Sequence, residues 1–295
     1  GACREEEEAM VFHSSAMRLN FKEGVGYLTF PALESYPFVR HAFSTRLGGV
    51  SKDEFFSMNL SFHRGDPDEN VLENYRRICG AAGFPYEGLT ASAQDHHTFI
   101  RRVGRQDRGV GIFRPRDLES VDGLVTDEPD VVLVTYYADC VPLYFLDPEK
   151  RVIGLAHGGW RGTAGRIGRK MVEKMKAEYG CRPERIIGAI GPSIGACCYE
   201  VDEPVAREFL ALSDLETERF VMDKKNGKYN LDLWEANRQI MVRAGMRPEN
   251  ITVTDLCTRC NHDWLISHRA TGGKRGGMAA MMCLVEQCSR AEEKA

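Results

Sequence analysis

The sequence predicts a single domain that combines β-strands and α-helices, of the mixed α/β or α+β class. Two observations lead to this class: short apolar segments bounded by turn residues arrive in clusters, and segments with helical spacing lie between them. At 295 residues the chain is long enough to bury a sizeable core. No internal repeat or Pro/Ser-rich linker divides it.

Five strands and three helices carry this prediction. The strands are expected in VGYLTF (25–30), VVLVTYY (131–137), VPLYFL (141–146), RVIGLA (151–156) and RIIGAIG (185–191). The helices are expected in DENVLENYRRICGAAG (68–83), TAGRIGRKMVEKMKAEYG (163–180) and LWEANRQIMVRAG (233–245). In the second helix, Met171 and Met175 should face the core, and Gly180 should end the helix.

Composition and charge exclude several classes of protein. A net charge of −4 and a pI of about 6.1 do not indicate a basic surface that would bind nucleic acid or an anionic membrane. No apolar run approaches the roughly 20 residues that span a bilayer. The acidic start of the chain does not resemble a signal peptide, so we expect a flexible tail over 1–16 and one domain over 17–290. Ten cysteines without an export signal are interpreted as reduced thiols in a cytoplasmic protein.

The segment YYADCVPLYFLDPEKRVIGLAHGGWRG (136–162) places a cysteine and a histidine at the two ends of a predicted hairpin. If DPEK (147–150) is a four-residue loop, the strand register pairs Cys140 directly with His157. Directly opposed side chains have Cβ atoms roughly 4.5–5.5 Å apart, which suits two ligands of one metal ion.

Two alternatives to this pairing stay open. Pro142 cannot donate a hydrogen bond to the sheet, so its strand lies at an edge or carries a bulge, and a bulge would shift the register by one residue. Cys140 is otherwise an ordinary small core residue and His157 a hydrogen-bonded polar residue.

A third ligand is available upstream, in SAQDHHTFI (92–100). His96 and His97 are adjacent and point to opposite faces of an extended segment, so only one of them can join the site. Three protein ligands would leave a fourth position open, as in catalytic zinc sites.

Other cysteine groups give weaker signals. Cys257, Cys260, His262 and His268 resemble a zinc finger only at first glance, because one residue instead of about twelve separates the cysteine pair from the first histidine. We interpret this stretch as a strand end with nearby thiols. The adjacent pair Cys197 and Cys198 is assigned no chemistry.

Several motifs in order resemble the YfiH family, which is labelled as multicopper polyphenol oxidoreductases or laccase-domain proteins. The resemblance runs from about Phe38 onward. It rests on HAFSTRLGGVS, SAQDHH, ADCVPL, AHGGWRGTAGRI, GPSIGACCYEV, NLDLWEANRQIM and WLISHRATGGKRG. Departures from the family pattern occur at Asp95, Tyr75 and His268, and those at Asp95 and His268 put substrate contacts in doubt.

The resemblance implies a zinc site formed by His96, Cys140 and His157. It also implies an α+β fold in which packed mixed β-sheets are flanked by helices in αββα layers, similar to the catalytic domain of cytotoxic necrotizing factor toxins. The implied activity is phosphorolysis of adenosine, inosine and methylthioadenosine, together with deamination of adenosine. Purine nucleosides and phosphate are therefore the expected partners; the oligomeric state is not predicted.

The copper label can be tested on the sequence. Multicopper oxidases hold a trinuclear cluster largely through His-X-His pairs, and none of the eight histidines of this chain forms one. A four-copper laccase centre is therefore excluded as an interpretation, although copper as such is not.

Four residues are candidates for catalysis. Arg46 and Arg161 lie close to glycine-rich turns and are expected to hold phosphate. Asp139 is a candidate general acid/base for deamination, although strand alternation places it on the opposite face from Cys140 and a structural role is the alternative. Cys140 has a second possible role, as the nucleophile of an amide hydrolase acting on peptidoglycan precursors. A non-enzymatic zinc protein is the third interpretation.

Overall fold

The computed structural model describes residues 12–286, which contain fifteen strands and seven α-helices. The strands are β1 (Arg18–Lys22), β2 (Val25–Thr29), β3 (Val39–Ser44), β4 (Leu89–Ala91), β5 (Ile100–Arg102), β6 (Gly123–Thr126), β7 (Val132–Tyr137), β8 (Val141–Asp147), β9 (Val152–Gly158), β10 (Ile187–Ile190), β11 (Glu200–Asp202), β12 (Val221–Asp223), β13 (Lys228–Leu231), β14 (Ile251–Val253) and β15 (Met278–Leu284). The helices are α1 (Pro31–Glu34), α2 (Asp68–Ala82), α3 (Trp160–Ala164), α4 (Ile167–Tyr179), α5 (Glu203–Leu210), α6 (Leu233–Arg243) and α7 (His268–Thr271).

The strands form two mixed six-stranded sheets and a small antiparallel one. The first sheet has the order β1-β2-β3-β15-β7-β4, and only its β4–β7 pair is parallel. The second sheet has the order β14-β10-β8-β9-β6-β5, with parallel pairs at both edges. The third sheet has the order β11-β13-β12.

Three apolar clusters arrange these elements in four layers. One cluster lies between the two large sheets and joins residues such as Phe43 and Met282 of the first sheet to Tyr144 and Leu155 of the second. Another packs α2 on the outer face of the first sheet. The third packs α4 and α6 on the outer face of the second sheet. The predicted α+β domain of packed mixed sheets with flanking helices is therefore confirmed.

All five predicted strands and all three predicted helices are present, and the residues expected to bury or end a helix do so. Met171 and Met175 of α4 are fully buried, and Gly180 ends the helix with a φ of 70°, a conformation in which glycine carries no Cβ penalty. At the start of α6, the Asp232 carboxylate accepts the backbone N–H of Glu235 at 3.0 Å.

The register predicted for the β8–β9 hairpin is wrong, because His157 pairs with a residue two positions after Cys140. Asp147 pairs with Val152, and Pro142 pairs with His157, so Cys140 lies one residue before β8. The turn is displaced because the Asp147 carboxylate accepts the backbone N–H groups of Glu149 and Lys150, which makes Asp147 the last residue of its strand.

Two connections that cross between the large sheets bring the predicted ligands together. The segment from β7 to β8 passes from the first sheet to the second in three residues, 138–140, and Cys140 is the last of these. The longer segment from β4 to β5 makes the same crossing and carries His96. His157 lies near the end of β9, beside both crossings.

The predicted tail (1–16) and the predicted end of the domain (290) both involve residues that the structure does not describe. Residues 1–11 of the expected tail and 287–295 at the other end are not described, so the limits at 16 and 290 stay predictions. Within the described part, Phe12 packs edge-on against Trp264, and Ser14 and Ser15 bind the Asp255 carboxylate. No helix among the described residues is long and apolar enough to cross a membrane.

Candidate metal centre and its cavity

His96, Cys140 and His157 come together in one group. Each offers a nitrogen or sulfur atom, and these atoms all lie within 4.8 Å of one another. His157 is buried, Cys140 is half-buried and His96 is exposed, so the group closes on the protein side and opens toward solvent. Three donors converging in this way are able to hold one metal ion and leave a position open.

A fourth residue, Asp122, orients both histidines. Its carboxylate is fully buried, and Oδ1 lies 3.1 Å from Nδ1 of His157. The same oxygen accepts the backbone N–H of His96 at 3.1 Å, and Oδ2 accepts that of His97 at 3.0 Å. Because Nδ1 of His157 is engaged, its Nε2 is left to face the other donors. A carboxylate behind a metal-ligating histidine fixes the ring orientation and raises its basicity.

The backbone of the loop before β5 explains why His96, and not His97, faces the group. His96 adopts a φ of 67°, in the left-handed region that non-glycine residues rarely enter. The hydrogen bonds to Asp122 hold it there. His97 instead places Nδ1 2.8 Å from Oδ1 of Asp95, which also accepts the hydroxyl of Ser120.

The two histidines have opposite shifts in pKa. Burial lowers the pKa of His157, but the negative charge of a Cys140 thiolate and the Asp122 carboxylate outweigh burial and raise it to about 9. Burial and the neighbouring positive charge of His157 lower the pKa of His96. A bound cation would replace the proton that the thiolate and carboxylate favour on His157.

Gly159 lets the backbone approach the donors closely. A Cβ atom at this position would lie 3.3 Å from Sγ of Cys140, 3.4 Å from Nδ1 of His96 and 3.5 Å from Cε1 of His157. The absence of a side chain therefore keeps the space between the three donors free. This fits a group that holds an ion.

The donor group lies at the base of a cavity of about 310 Å³. This volume falls at the lower end of the roughly 300–1,000 Å³ that is typical of small-molecule sites. Aromatic side chains of Phe62, Tyr136 and Tyr137 contribute to the wall, and Gln94 lines it as well. Gln94 is held in place because its amide donates to the backbone carbonyl of Tyr136 at 2.9 Å.

Arg64 and Arg275 form a positive wall of this cavity. Nε of Arg64 donates to the carbonyl of Arg275 at 2.9 Å, and Nε of Arg275 donates to Nδ1 of His268 at 3.3 Å. Within residues 12–286 neither guanidinium forms an ion pair with a carboxylate. Burial and the charge of Arg64 lower the pKa of Arg275 to about 10. Two guanidinium groups held together without a carboxylate favour an anion between them.

Asp139, the candidate general acid/base, does not line this cavity. Its Oδ1 accepts the hydroxyl of Thr258 at 2.6 Å, and its Oδ2 accepts the backbone N–H of Arg269 at 2.7 Å. Asp139 has a φ of 102°, in the turn between β7 and β8. These contacts agree with the structural alternative that the sequence left open.

Neither of the two arginines expected to hold phosphate lines this cavity. Arg46 donates to the backbone carbonyls of Phe56, His262 and Leu265 and does not line the cavity. Arg161 stacks over the ring of Trp160 at 4.4 Å. It lies near enough to His96 for its charge to lower the pKa of that histidine.

The sequence interpretation missed several residues of the site. Asp122 follows no recognisable motif, and Arg64 and Arg275 are more than 200 residues apart in the chain. Their roles depend on contacts that only the fold creates. The interpretation also left Cys197, Cys198, Cys257 and Cys260 without chemistry, whereas their four sulfur atoms lie within 4.8 Å of one another.

The fold and the His₂Cys group define an α+β protein with a candidate metal centre at the base of a cavity. Residues 40–285 match the family described as "Multi-copper polyphenol oxidoreductase laccase", and the chain belongs to this family. It is similar to a purine nucleoside phosphorylase, YlmD, of Geobacillus stearothermophilus, with 40% identity over 81% of this chain and 88% of that protein.

Two further relatives extend the comparison. An adenosine deaminase, RL5, from an unknown prokaryotic organism is 33% identical over 80% of this chain and 90% of its own length. The crystal structure of the hypothetical protein YfiH of Bacillus licheniformis superimposes with a TM-score of 0.85 at 35% identity, over 91% of this chain and 98% of that one.

Proposed function

We propose that this protein is a zinc-dependent purine nucleoside phosphorylase with adenosine deaminase activity. One observation supports this proposal most strongly: a single cavity combines the His₂Cys donor group at its base with the Arg64–Arg275 pair on its wall. A relative that matches most of the chain is named as a purine nucleoside phosphorylase, and another is named as an adenosine deaminase.

Zinc is the metal that the donor set fits best. Zinc accepts two imidazoles and one thiolate and keeps an open position in catalytic sites. A blue-copper centre has the same three donors together with a weak axial ligand, most often methionine, and among residues 12–286 no methionine lines this cavity. When bound by His96, Cys140 and His157, zinc would supply a Lewis acid at the base of the cavity.

The nucleoside is proposed to lie between the aromatic wall and the donor group. Phe62 stacks on Tyr75, with ring centroids 6.1 Å apart, so its ring is held in a fixed orientation for contact with a purine. Tyr136 has its backbone N–H and carbonyl clamped by Gln94, which fixes this part of the wall. Purines offer a flat apolar surface to such side chains.

Phosphate is proposed to bind at Arg64 and Arg275. In phosphorolysis a phosphate oxygen forms a bond to C1′ of the ribose while the bond from C1′ to N9 breaks. The electron pair of that bond leaves with the base, and the proton of hydrogen phosphate passes to the base. Guanidinium groups fixed by backbone carbonyls orient the phosphate and hold its charge near C1′.

The arginine pair therefore replaces Arg46 in our assignment of the phosphate site. Nη1 and Nη2 of Arg46 already donate hydrogen bonds to three backbone carbonyls. Arg161, whose charge acts on His96, keeps its proposed role as a further positive charge for phosphate. Asp139 is assigned to positioning, because both of its oxygens are already hydrogen-bonded.

An amide hydrolase with Cys140 as nucleophile is the second candidate. The observation that favours it is the order Cys140, His157, Asp122, in which a carboxylate orients an imidazole next to a thiol. A hydrolase of this kind would work without metal and would be inactivated by alkylation of Cys140. A reducing, cytoplasmic environment stays part of the proposal, because thiols persist in such a compartment.

Product analysis with and without phosphate tests the proposal. Purified protein is incubated with adenosine, and the products are separated by chromatography. Adenine released only in the presence of phosphate supports phosphorolysis, and inosine formed without phosphate supports the deaminase activity. Stoichiometric zinc with no turnover of adenosine, inosine or methylthioadenosine would contradict the proposal and would favour the amide hydrolase.

A further inference from the structure

Two loops outside the cavity bring four cysteines together. Cys197 and Cys198 lie in the loop between β10 and β11, and Cys257 and Cys260 lie in the loop after β14. Their four sulfur atoms all lie within 4.8 Å of one another. Cys260 lies 63 residues after Cys197 and 62 after Cys198 in the chain, so only the fold brings the two cysteine pairs together.

The distances between the sulfur atoms match those of a tetrahedral site. Sγ of Cys198 lies 3.5 Å from Sγ of Cys197 and 3.5 Å from Sγ of Cys260, and Cys197 and Cys260 are 3.6 Å apart. With metal–sulfur bonds of about 2.3 Å, tetrahedral zinc separates its sulfurs by roughly 3.8 Å. A disulfide bond needs about 2.05 Å, and none of these pairs is bonded.

Two hydrogen-bond donors lie beside the sulfur atoms of this group. The backbone N–H of Gly195 donates to Sγ of Cys257 at 3.3 Å. A guanidinium nitrogen of Arg259 lies 3.6 Å from Sγ of Cys198. Four thiolates around one divalent cation carry a net charge of −2, and this arginine offsets part of that charge.

We propose that Cys197, Cys198, Cys257 and Cys260 bind one zinc ion in a closed structural site, separate from the His₂Cys group. All four positions are filled by protein sulfur, which is typical of structural zinc and leaves no place for a substrate. The histidines next to this stretch are not ligands. Nδ1 of His262 contacts the backbone carbonyl of Arg259, and Nδ1 of His268 accepts from Arg275.

The proposed zinc ion would link two loops that both form hydrogen bonds to Asp139, the residue before Cys140. The backbone N–H of Ile194, in the first loop, donates to the carbonyl of Asp139 at 2.9 Å. The hydroxyl of Thr258, in the second loop between its two cysteines, donates to the Asp139 carboxylate at 2.6 Å. The zinc ion therefore fixes the turn that carries Cys140, without itself touching the cavity.

Metal counting on three variants tests this proposal. Wild-type protein purified with zinc and a reducing agent should contain two zinc ions per chain by elemental analysis. H157A should keep one, because only the His₂Cys group is damaged. The double variant C198S/C260S, which removes one thiol from each loop, should also keep one. C181S, which removes a buried cysteine from neither group, should keep two.

Cobalt distinguishes the two sites independently of enzymatic activity. H157A loaded with Co²⁺ should show the intense thiolate charge-transfer bands of a tetrahedral four-sulfur site, and C198S/C260S should show only the weaker band of the single Cys140 thiolate. If the double variant does not fold, H157A alone decides: a thiol-reactive mercurial should release its one zinc ion. Absence of zinc from H157A would overturn the proposal. A disulfide among these four cysteines in the native protein, seen as a mass two units below that of the reduced chain, would overturn it as well.

Discussion

Asp122 and His157 are joined by a contact of 3.1 Å between Oδ1 and Nδ1, and the same carboxylate oxygen accepts the backbone N–H of His96. One buried side chain thus sets the direction of two of the three donors. The site depends on this residue as much as on its ligands, because a histidine that is free to rotate loses its fixed approach to a metal ion.

We expect D122N to weaken metal binding at the His₂Cys group by about 10–100-fold. The amide keeps the size of the side chain but loses the charge that supports His157 and one of the two acceptor atoms. Metal affinity is measured by competition with a chromogenic chelator. D147N is the matched control. Asp147 is buried like Asp122, but it lies at the end of β8 that is remote from Cys140, where it caps a turn. Equal metal affinity in D122N and D147N would contradict this role for Asp122.

Substitution of Arg275 or Arg64 by glutamine should raise the KM for phosphate without loss of metal. Each substitution removes a positive charge from the cavity wall, and a charged hydrogen bond to phosphate contributes about 1.5–3 kcal/mol, or roughly 10–150-fold in affinity. Steady-state kinetics at varied phosphate, with metal content measured in parallel, checks this. An unchanged KM for phosphate in both variants would place the anion elsewhere.

Substitution R46Q should lower stability and leave the KM for phosphate unchanged. The guanidinium bridges the backbone of the segment around Phe56 to that around His262 and Leu265. Its loss leaves carbonyl groups without donors and should cost about 2 kcal/mol of the free energy of unfolding. Urea denaturation and phosphate kinetics on the folded enzyme separate the two effects. A raised KM for phosphate would restore the sequence-based role of Arg46.

His41 should make the protein less stable in acid. Burial lowers its pKa to about 4, although the charge of Glu34 opposes this, and its Nε2 accepts the backbone N–H of Phe30 at 2.8 Å. The unfolded chain has a pKa near 6.5 for this group and therefore binds the proton more readily. Stability is retained above pH 6.5 and falls toward pH 4, by about 1.4 kcal/mol per pH unit and about 3 kcal/mol in total.

The variant H41Q isolates this effect. Glutamine offers an amide oxygen to the N–H of Phe30 but does not titrate. Urea denaturation at pH 7 and at pH 4.5 should show a smaller loss of stability in H41Q than in wild type. An identical loss in the two proteins would mean that His41 does not titrate in this range.

The sequence predicted the elements of the fold better than their register. Apolar runs and helix ends such as Gly180 act through neighbours in the chain, so the pattern alone reveals them. The β8–β9 register failed because one side chain, Asp147, moved the turn by a residue. Cys140 still joins His157, since the crossing between sheets, and not a ladder pair, places it there.

The candidate site was predicted unevenly for a related reason. His96, Cys140 and His157 stand in motifs that the resemblance made recognisable. Asp122 and Arg64 act through contacts made across the fold, and nothing in their local sequence distinguishes them from ordinary charged residues. Arg275 stands near the end of the motif WLISHRATGGKRG, but only the fold brings it to Arg64. The cysteine pairs at 197–198 and 257–260 looked unremarkable because each pair supplies only half of a possible site.

Loss of metal and of phosphorolysis in the same variants tests the central claim most directly. In H157A and C140A we expect one zinc ion per chain fewer than in wild type, loss of phosphate-dependent adenine release, and an unchanged circular dichroism spectrum. Either variant retaining full adenine release with that zinc ion missing would contradict the claim that the His₂Cys group is the centre of nucleoside cleavage.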